Sequence, residues 1–282
     1  MKLAAVQMVS TPDVGRNLAA ARSLIAQAAA QGAQLVALPE YFCLLGRNDR
    51  DKLSIAEEPW GAVGVGVPPG VPPEHMPIQR ALSDAAREHM VWLMGGTLPL
   101  RSSDPQHVFN SHCVFAPDGS LAARYDKMHL FCFDNGKERY DEGRVLHPGA
   151  QPVALQCGPL RVGLSVCYDL RFPELYRALM NPPCDLIAVP SAFTYTTGAA
   201  HWELLLRARA VENQAYVIAP AQGGSHENGR RTWGHSMIVD PWGEVLGVLP
   251  EGEGVVLAEV DARRIAAVRT QLPALEHRRA PV

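Results

Sequence analysis

No stretch of this chain approaches the ~18–20 consecutive apolar residues that a membrane-crossing helix needs. Charge of one sign is not in excess either: 26 Lys and Arg stand against 29 Asp and Glu, a formal net charge of −3. That balance gives no basic footprint for nucleic acid and no acidic tail. The six cysteines form no C-x-x-C pair, and the ten histidines form no H-E-x-x-H spacing. No metal and no cofactor are therefore expected. The opening MKLAAVQMVSTPD lacks the length of a secretory signal and reads as a first strand. A cytoplasmic protein with free thiols is expected. Repeats, low-complexity tracts and clear linkers are absent, so residues 1–282 are read as a single domain. With 47% hydrophobic residues, the chain has enough apolar material for a large core.

The apolar pattern alternates between short runs and amphipathic segments. Strands are expected at Leu3–Val9, Gln34–Leu38, Val91–Gly95, Arg161–Val166, Asp185–Val189, Tyr216–Ala219 and Val255–Val260. Helices are expected at Asn17–Ala30, Ile78–Glu88, Phe172–Met180 and His201–Gln214. Pro117-Asp118-Gly119 and Pro241-Trp242-Gly243 each mark a hairpin. Residues 43–76 read as a long irregular segment dense in Gly and Pro, and such loops are more often functional than idle. Within it, Gly64 to Gly70 faintly resembles a phosphate-binding loop. It follows no clear strand and precedes prolines, so it is read instead as a border of the active-site mouth or an oligomer contact. Alternating strands and helices, interrupted by hairpins, imply mixed sheets with helices outside.

Chemistry-bearing residues recur at the ends of apolar runs. LVALP ends at Glu40, LAARYD at Lys127, VGLSV at Cys167 and LIAVP at Ser191. In α/β folds ligands bind beyond the carboxyl ends of strands, so these side chains converge if their strands share an edge. Taken alone, Cys167 reads first as a buried filler, since cysteine is among the most buried residue types. Its surroundings favour a second reading. Pro173 and Glu174 look like a helix start, and a thiol near a helix N-terminus has its thiolate favoured. Glu40 would serve as base if burial raises its pKa, and Lys127 would stabilise an oxyanion.

LVALPEYF around Glu40, YDKMHLF around Lys127 and LSVCYDLRFPELYR around Cys167 together resemble the nitrilase superfamily of carbon–nitrogen hydrolases, over almost the whole chain. The resemblance implies an α/β fold, an αββα sandwich of two mixed sheets flanked by helices, pairing into an αββααββα homodimer. It implies a catalytic set of Glu40, Lys127 and Cys167. It also implies a second glutamate, which the stretch Tyr140 to Gly149 places at Glu142. The segment Cys132 to Lys137 departs from the Asp-rich form of several relatives. Residues 190–214 and 234–246 look most like the Nit branch. That implies a small-molecule amide substrate, best read as deaminated glutathione cleaved to 2-oxoglutarate and cysteinylglycine. An ω-amidase acting on 2-oxoglutaramate or 2-oxosuccinamate, or an N-carbamoyl amide hydrolase, is the alternative.

Such substrates carry carboxylates, so the pocket should offer cations and hydrogen bonds. Arg171, Thr194, Tyr195, Ser191 and the backbone N–H of Tyr168 are the candidates, and Phe131 and Trp202 are candidate walls. Two other classes remain open at this stage. One is a Cys–His hydrolase in which a histidine partners Cys167. The other is a binding or redox-sensing protein without turnover.

Overall fold

The computed structural model describes residues 1–61, 75–136 and 138–279. The stretch from Gly64 to Gly70 and Lys137 lie outside the described residues. Seventeen strands are described: β1 (Lys2–Gln7), β2 (Leu35–Ala37), β3 (Trp92–Met94), β4 (Leu98–Arg101), β5 (Val108–Phe115), β6 (Leu121–Asp126), β7 (Cys132–Asp134), β8 (Arg139–Asp141), β9 (Val153–Cys157), β10 (Leu160–Leu164), β11 (Leu186–Ala188), β12 (Tyr216–Ala219), β13 (Gly223–Ser225), β14 (Arg231–Trp233), β15 (Ser236–Val239), β16 (Val245–Leu249) and β17 (Gly254–Glu259). The helices are α1 (Val14–Ala30), α2 (Asp51–Ser54), α3 (Pro77–His89), α4 (Pro173–Ala178), α5 (Tyr195–Asn213) and α6 (Ala262–Gln271).

One sheet has the order β17-β1-β2-β3-β5-β4, with β6 also paired to β5; the other has the order β16-β15-β12-β11-β10-β9. Each sheet is parallel at its centre and antiparallel toward its edges. Strand alternation explains the layering. Leu3, Ala5, Leu35 and Ala37 join one core with Val162, Leu164 and Ile187 of the second sheet. Ala4, Val6 and Val36 point the other way, against Ala21, Leu24 and Ile25 of α1 and Leu82 and Ala86 of α3. On the outer side of the second sheet lie α4 and α5, whose Leu175, Leu206 and Ala210 complete the first core. The result is the expected αββα sandwich. Each fully buried Leu, Ile or Val contributes about 1.5–3 kcal/mol to it.

The helix starts follow side-chain chemistry. Asp13 caps α1 by accepting from the Arg16 N–H at 3.0 Å. Thr194 caps α5 through the Thr197 N–H, so this helix begins six residues before the expected His201. The missing side chain of Gly198 lets α5 close on β14, because a Cβ there would meet the Trp233 Cβ at 2.2 Å.

Candidate active site

β5 runs antiparallel to β3, and β6 antiparallel to β5. β6 therefore points the same way as β2, and the residues after their carboxyl ends meet. Glu40 lies just past β2, Lys127 directly after β6, and Cys167 just past β10 of the facing sheet. Lys127 Nζ lies 2.9 Å from Glu40 Oε1, and 3.0 and 2.8 Å from the two oxygens of Glu142. Glu40 Oε1 also accepts from Asn110 Nδ2 at 2.9 Å, and its Oε2 from the Ala192 N–H at 3.0 Å. The Cys167 thiol stands close enough to the same carboxylate for its charge to act on it. Glu142 accepts in addition from the Tyr41 hydroxyl and the Phe131 N–H, both at 2.7 Å.

Cys167 opens a short 3-10 turn, Cys167–Arg171, with φ at 49°. A left-handed backbone at a residue with a side chain costs about 1–3 kcal/mol and persists only where its surroundings enforce it. Asp169 supplies much of that enforcement. Fully buried, it accepts from the Val166 N–H at 2.8 Å, the Tyr125 hydroxyl at 2.7 Å and the His129 N–H at 3.0 Å, and meets His129 Nδ1 at 2.7 Å. Its carboxylate thus clamps the turn bearing Cys167 to the segment bearing Lys127. The strand–turn arrangement has the logic of a nucleophile elbow.

Activation by a helix dipole, expected from Pro173, is not what the structure provides. α4 starts six residues beyond Cys167 and is only six residues long. Burial, and then the negative charge of Glu40, push the Cys167 thiol well above its ordinary value, with Lys127 opposing only in part. Both effects favour the protonated thiol over the thiolate. Burial also raises Glu40; Lys127 offsets part of this, and the charge of Glu142 adds to it. In Glu142 burial pushes the same way, but the Lys127 charge and hydrogen bonds prevail and hold it below the usual carboxylate range. Burial works against the charge on Lys127, yet Glu142 and Glu40 together keep that ammonium well above its ordinary value.

Glu40, Glu142 and Cys167 line a pocket of about 360 Å³, with Lys127 buried against the two glutamates, within the range of small-molecule sites. Phe131, Tyr168, Arg171 and Thr194 reach its walls as expected. The Thr194 hydroxyl is already engaged with Thr197, at 2.8 Å between their oxygens. Ser191 is not brought to the cavity: it is fully buried, and its hydroxyl donates to the Val189 carbonyl at 3.0 Å. Tyr195 also lies apart, on the far side of the Thr194 cap, its ring 5.1 Å from Trp233 and 3.8 Å from the Arg231 guanidinium. Trp202 is buried behind the wall, donating to the His235 carbonyl at 2.8 Å and packing on Phe193. No histidine lines the pocket among the described residues, and the carboxylates that line it with Cys167 are Glu40 and Glu142.

Reading the sequence missed four contributors: Tyr41, Asn110, Phe193 and Arg230. Tyr41 is adjacent to Glu40 and was findable on that ground. Arg230 had a signal too, since Asn228-Gly229 is a hairpin turn pair and β13 and β14 flank it. Asn110 had none, because its role depends on β5 lying beside the end of β2.

Residues 2–270 match the family model described as carbon–nitrogen hydrolase. A deaminated glutathione amidase from Synechocystis sp. is 39% identical over 279 residues, 98% of this chain and 97% of that protein. The omega-amidase NIT2 of Homo sapiens is 37% identical over 280 residues, 99% of this chain and 95% of that one. Among solved structures, Saccharomyces cerevisiae Nit3, of branch 10 of the nitrilase superfamily, superposes with a TM-score of 0.84 at 30% identity, covering 97% of this chain and 94% of that chain. Matches of that extent over this fold show that the chain belongs to the carbon–nitrogen hydrolase family and hydrolyses carbon–nitrogen bonds other than peptide bonds.

Proposed function

We propose that the protein is a thiol-dependent amidase whose substrate is deaminated glutathione, with Cys167 as nucleophile. The observation that carries this is Cys167 held against the Glu40–Lys127–Glu142 network at the floor of a pocket whose walls bear two guanidiniums, Arg171 and Arg230.

Glu40 takes the thiol proton as Cys167 Sγ attacks the amide carbonyl. A C–S bond forms and the C=O π pair moves to oxygen. Lys127 Nζ and the Tyr168 N–H hold that oxyanion. The N–H lies in the first turn of its 3-10 segment, where amides have no intrahelical acceptor. Collapse breaks the C–N bond, and the protonated Glu40 gives its proton to the departing amine. Glu40 then deprotonates a water, which attacks the thioester. The C–S bond breaks, the acid is released, and the proton returns to sulfur. Glu142 fixes the Lys127 ammonium and is itself fixed by Tyr41 and Phe131.

The scheme fixes a pH dependence. Glu40 must be ionised to act, and its pKa is raised, first by burial. kcat/KM should therefore fall as pH drops, along an acid limb lying above the 4.5 of an ordinary glutamate. A pH–rate profile flat down to 4.5 would remove Glu40 from the role of base.

Release of amine or ammonia across a substrate panel tests the substrate. Deaminated glutathione should be preferred over 2-oxoglutaramate, N-carbamoyl amino acids and simple nitriles. Equal or better turnover of 2-oxoglutaramate would favour the ω-amidase reading, supported by the NIT2 likeness.

A cytoplasmic homodimer completes the reading. Leu204 and Val211, seven residues apart on α5, are 67% and 49% exposed, and Trp242 of the β15–β16 hairpin is 55% exposed. The hairpin is tied to α5 where Arg207 donates to the Gly243 carbonyl at 2.9 Å, so the three side chains form one apolar face that a second copy would cover. Light scattering should give twice the 30.6 kDa chain mass; a monomer would end that part of the reading.

A further inference from the structure

Arg171 and Arg230 are both pocket residues, but they come from different walls and neither is ion-paired among the described residues. Arg171 leaves the same 3-10 turn as Cys167. Its guanidinium lies over the rings of Tyr168 and Phe193, 5.8 and 5.5 Å from their centroids, and 3.3 Å from His201 Nδ1. Arg230 stands at the tip of the β13–β14 hairpin, 4.9 Å from the centroid of the Tyr140 ring. Asn228 anchors that tip, donating to the Gly46 carbonyl at 2.7 Å, and its Oδ1 accepts from the Arg230 N–H at 3.0 Å. The other cation on that side, Lys52, is buried, lies 3.5 Å from Asp49 and caps the Tyr41 ring at 4.8 Å. Arg230 is thus the cation of that wall left for a ligand. Glu138 stands outside the pocket lining and meets the Tyr140 and Thr196 hydroxyls at 3.4 and 3.2 Å.

The proton path assigns the two walls. Glu40 gives its proton to the leaving nitrogen, so the amine half of the substrate leaves from the Glu40–Tyr41 side, where the Arg230 charge acts on Tyr41. The acyl half is bonded to Cys167 Sγ, on the turn that also bears Arg171. The charges of the pocket agree. Among the lining residues Glu40 and Glu142 are matched by Arg171 and Arg230, and the Lys127 ammonium buried against the two glutamates adds a further positive charge beside a partly desolvated cavity, where it acts strongly on anions. A guanidinium is matched to a carboxylate in shape as well as charge.

We propose that Arg230 recognises an acid group on the amine half of the substrate, so that the preferred amide bears a carboxylate on each side of the scissile bond. This rests on the amidase reading above and goes further, assigning selectivity for the leaving group to a residue outside the Glu–Lys–Cys set. A primary amide, which releases ammonia, offers Arg230 nothing.

The test uses three amides with one carboxylate-bearing acyl half. Their leaving groups are ammonia, a dipeptide with a free C-terminal carboxylate, and the same dipeptide with that terminus amidated. The wild-type enzyme should prefer the free acid over its amidated twin by about 10–100-fold in kcat/KM, the size of one charged hydrogen bond. In Arg230→Gln that ratio should collapse toward one, and Arg230→Lys should keep part of it. Because the ratio is read within one preparation, partial loss of folded protein cancels. An equal rate on the two dipeptide amides in the wild type, or a ratio that survives Arg230→Gln, would overturn the inference while leaving the amidase reading intact. No turnover of any of the three would overturn both.

Discussion

Cys167→Ala should leave amide hydrolysis at background, a loss of roughly 10⁴–10⁶ in kcat, in a protein that still folds. The chemical loss is total because no other thiol lines the pocket: the five other cysteines lie elsewhere, and four of them are buried. Glu40 would still hold a water, but attack by water on an unactivated amide is the reaction the thiol replaces. The structural loss is small. The left-handed φ of 49° belongs to the turn, which Asp169 clamps from two sides, and removing one sulfur from a wall already open to the cavity costs about 1 kcal/mol or less. Incubation of the wild type with a slow amide should yield an acyl adduct on the peptide containing Cys167 by mass spectrometry, and the variant should yield none. Retained turnover in Cys167→Ala would end the mechanism, and it would revive the possibility of a different acid–base pair. The same mass measurement separates enzyme from binding module: an adduct that forms and then disappears is turnover, which a receptor does not show.

How much of this was legible in the sequence varies by residue. Strand and helix positions were read to within a few residues wherever an apolar run was long, because period-2 and period-3.6 burial leave their mark on the residues themselves. Short or exposed strands such as Cys132–Asp134 and Gly223–Ser225 were not read, since they bury little on either face. Glu40, Lys127 and Cys167 were found as residues at run ends, but only the resemblance joined them. Their convergence depends on β6 pointing along β2 and on the second sheet facing the first, and neither fact is local. The sign of the thiol's shift was misjudged for the same reason. Local sequence showed a proline at a helix start, whereas burial and the Glu40 charge, both tertiary, decide it. Ser191 followed the run-end rule and landed in the core, because the carbonyl it needs is two residues back on its own strand.

Lys127→Met should damage both rate and fold, and the pH dependence of the fold is the more discriminating measurement. Removing a single oxyanion donor costs about 10²–10³ in kcat. Here the loss should be larger, because the same ammonium positions Glu40 through its 2.9 Å contact. The stability cost should be about 3–5 kcal/mol, the usual result of breaking a buried ion pair by deleting one partner. Methionine fills the volume of the lysine stem, so a cavity is not the cause; two buried carboxylates left facing each other without a cation are. In the wild type, Glu142 is held below its ordinary pKa by Lys127, so it contributes stability above the unfolded-state value that is lost as pH falls. Glu40 is raised by burial, so it binds its proton more tightly when folded and subtracts stability as pH rises through its folded value. Without Lys127 the burial of Glu142 is opposed only by the Phe131 and Tyr41 hydrogen bonds, and its shift should turn upward to join that of Glu40. Both carboxyls then favour the folded state when protonated, and the variant should gain stability relative to the wild type as pH falls from 8 toward 5. Urea denaturation at the two pH values reads this directly: the gap between wild type and Lys127→Met should narrow at the lower pH. A gap that stays constant or widens would mean that the two glutamates do not share the lysine's charge, and the electrostatic account of the site would fall with it.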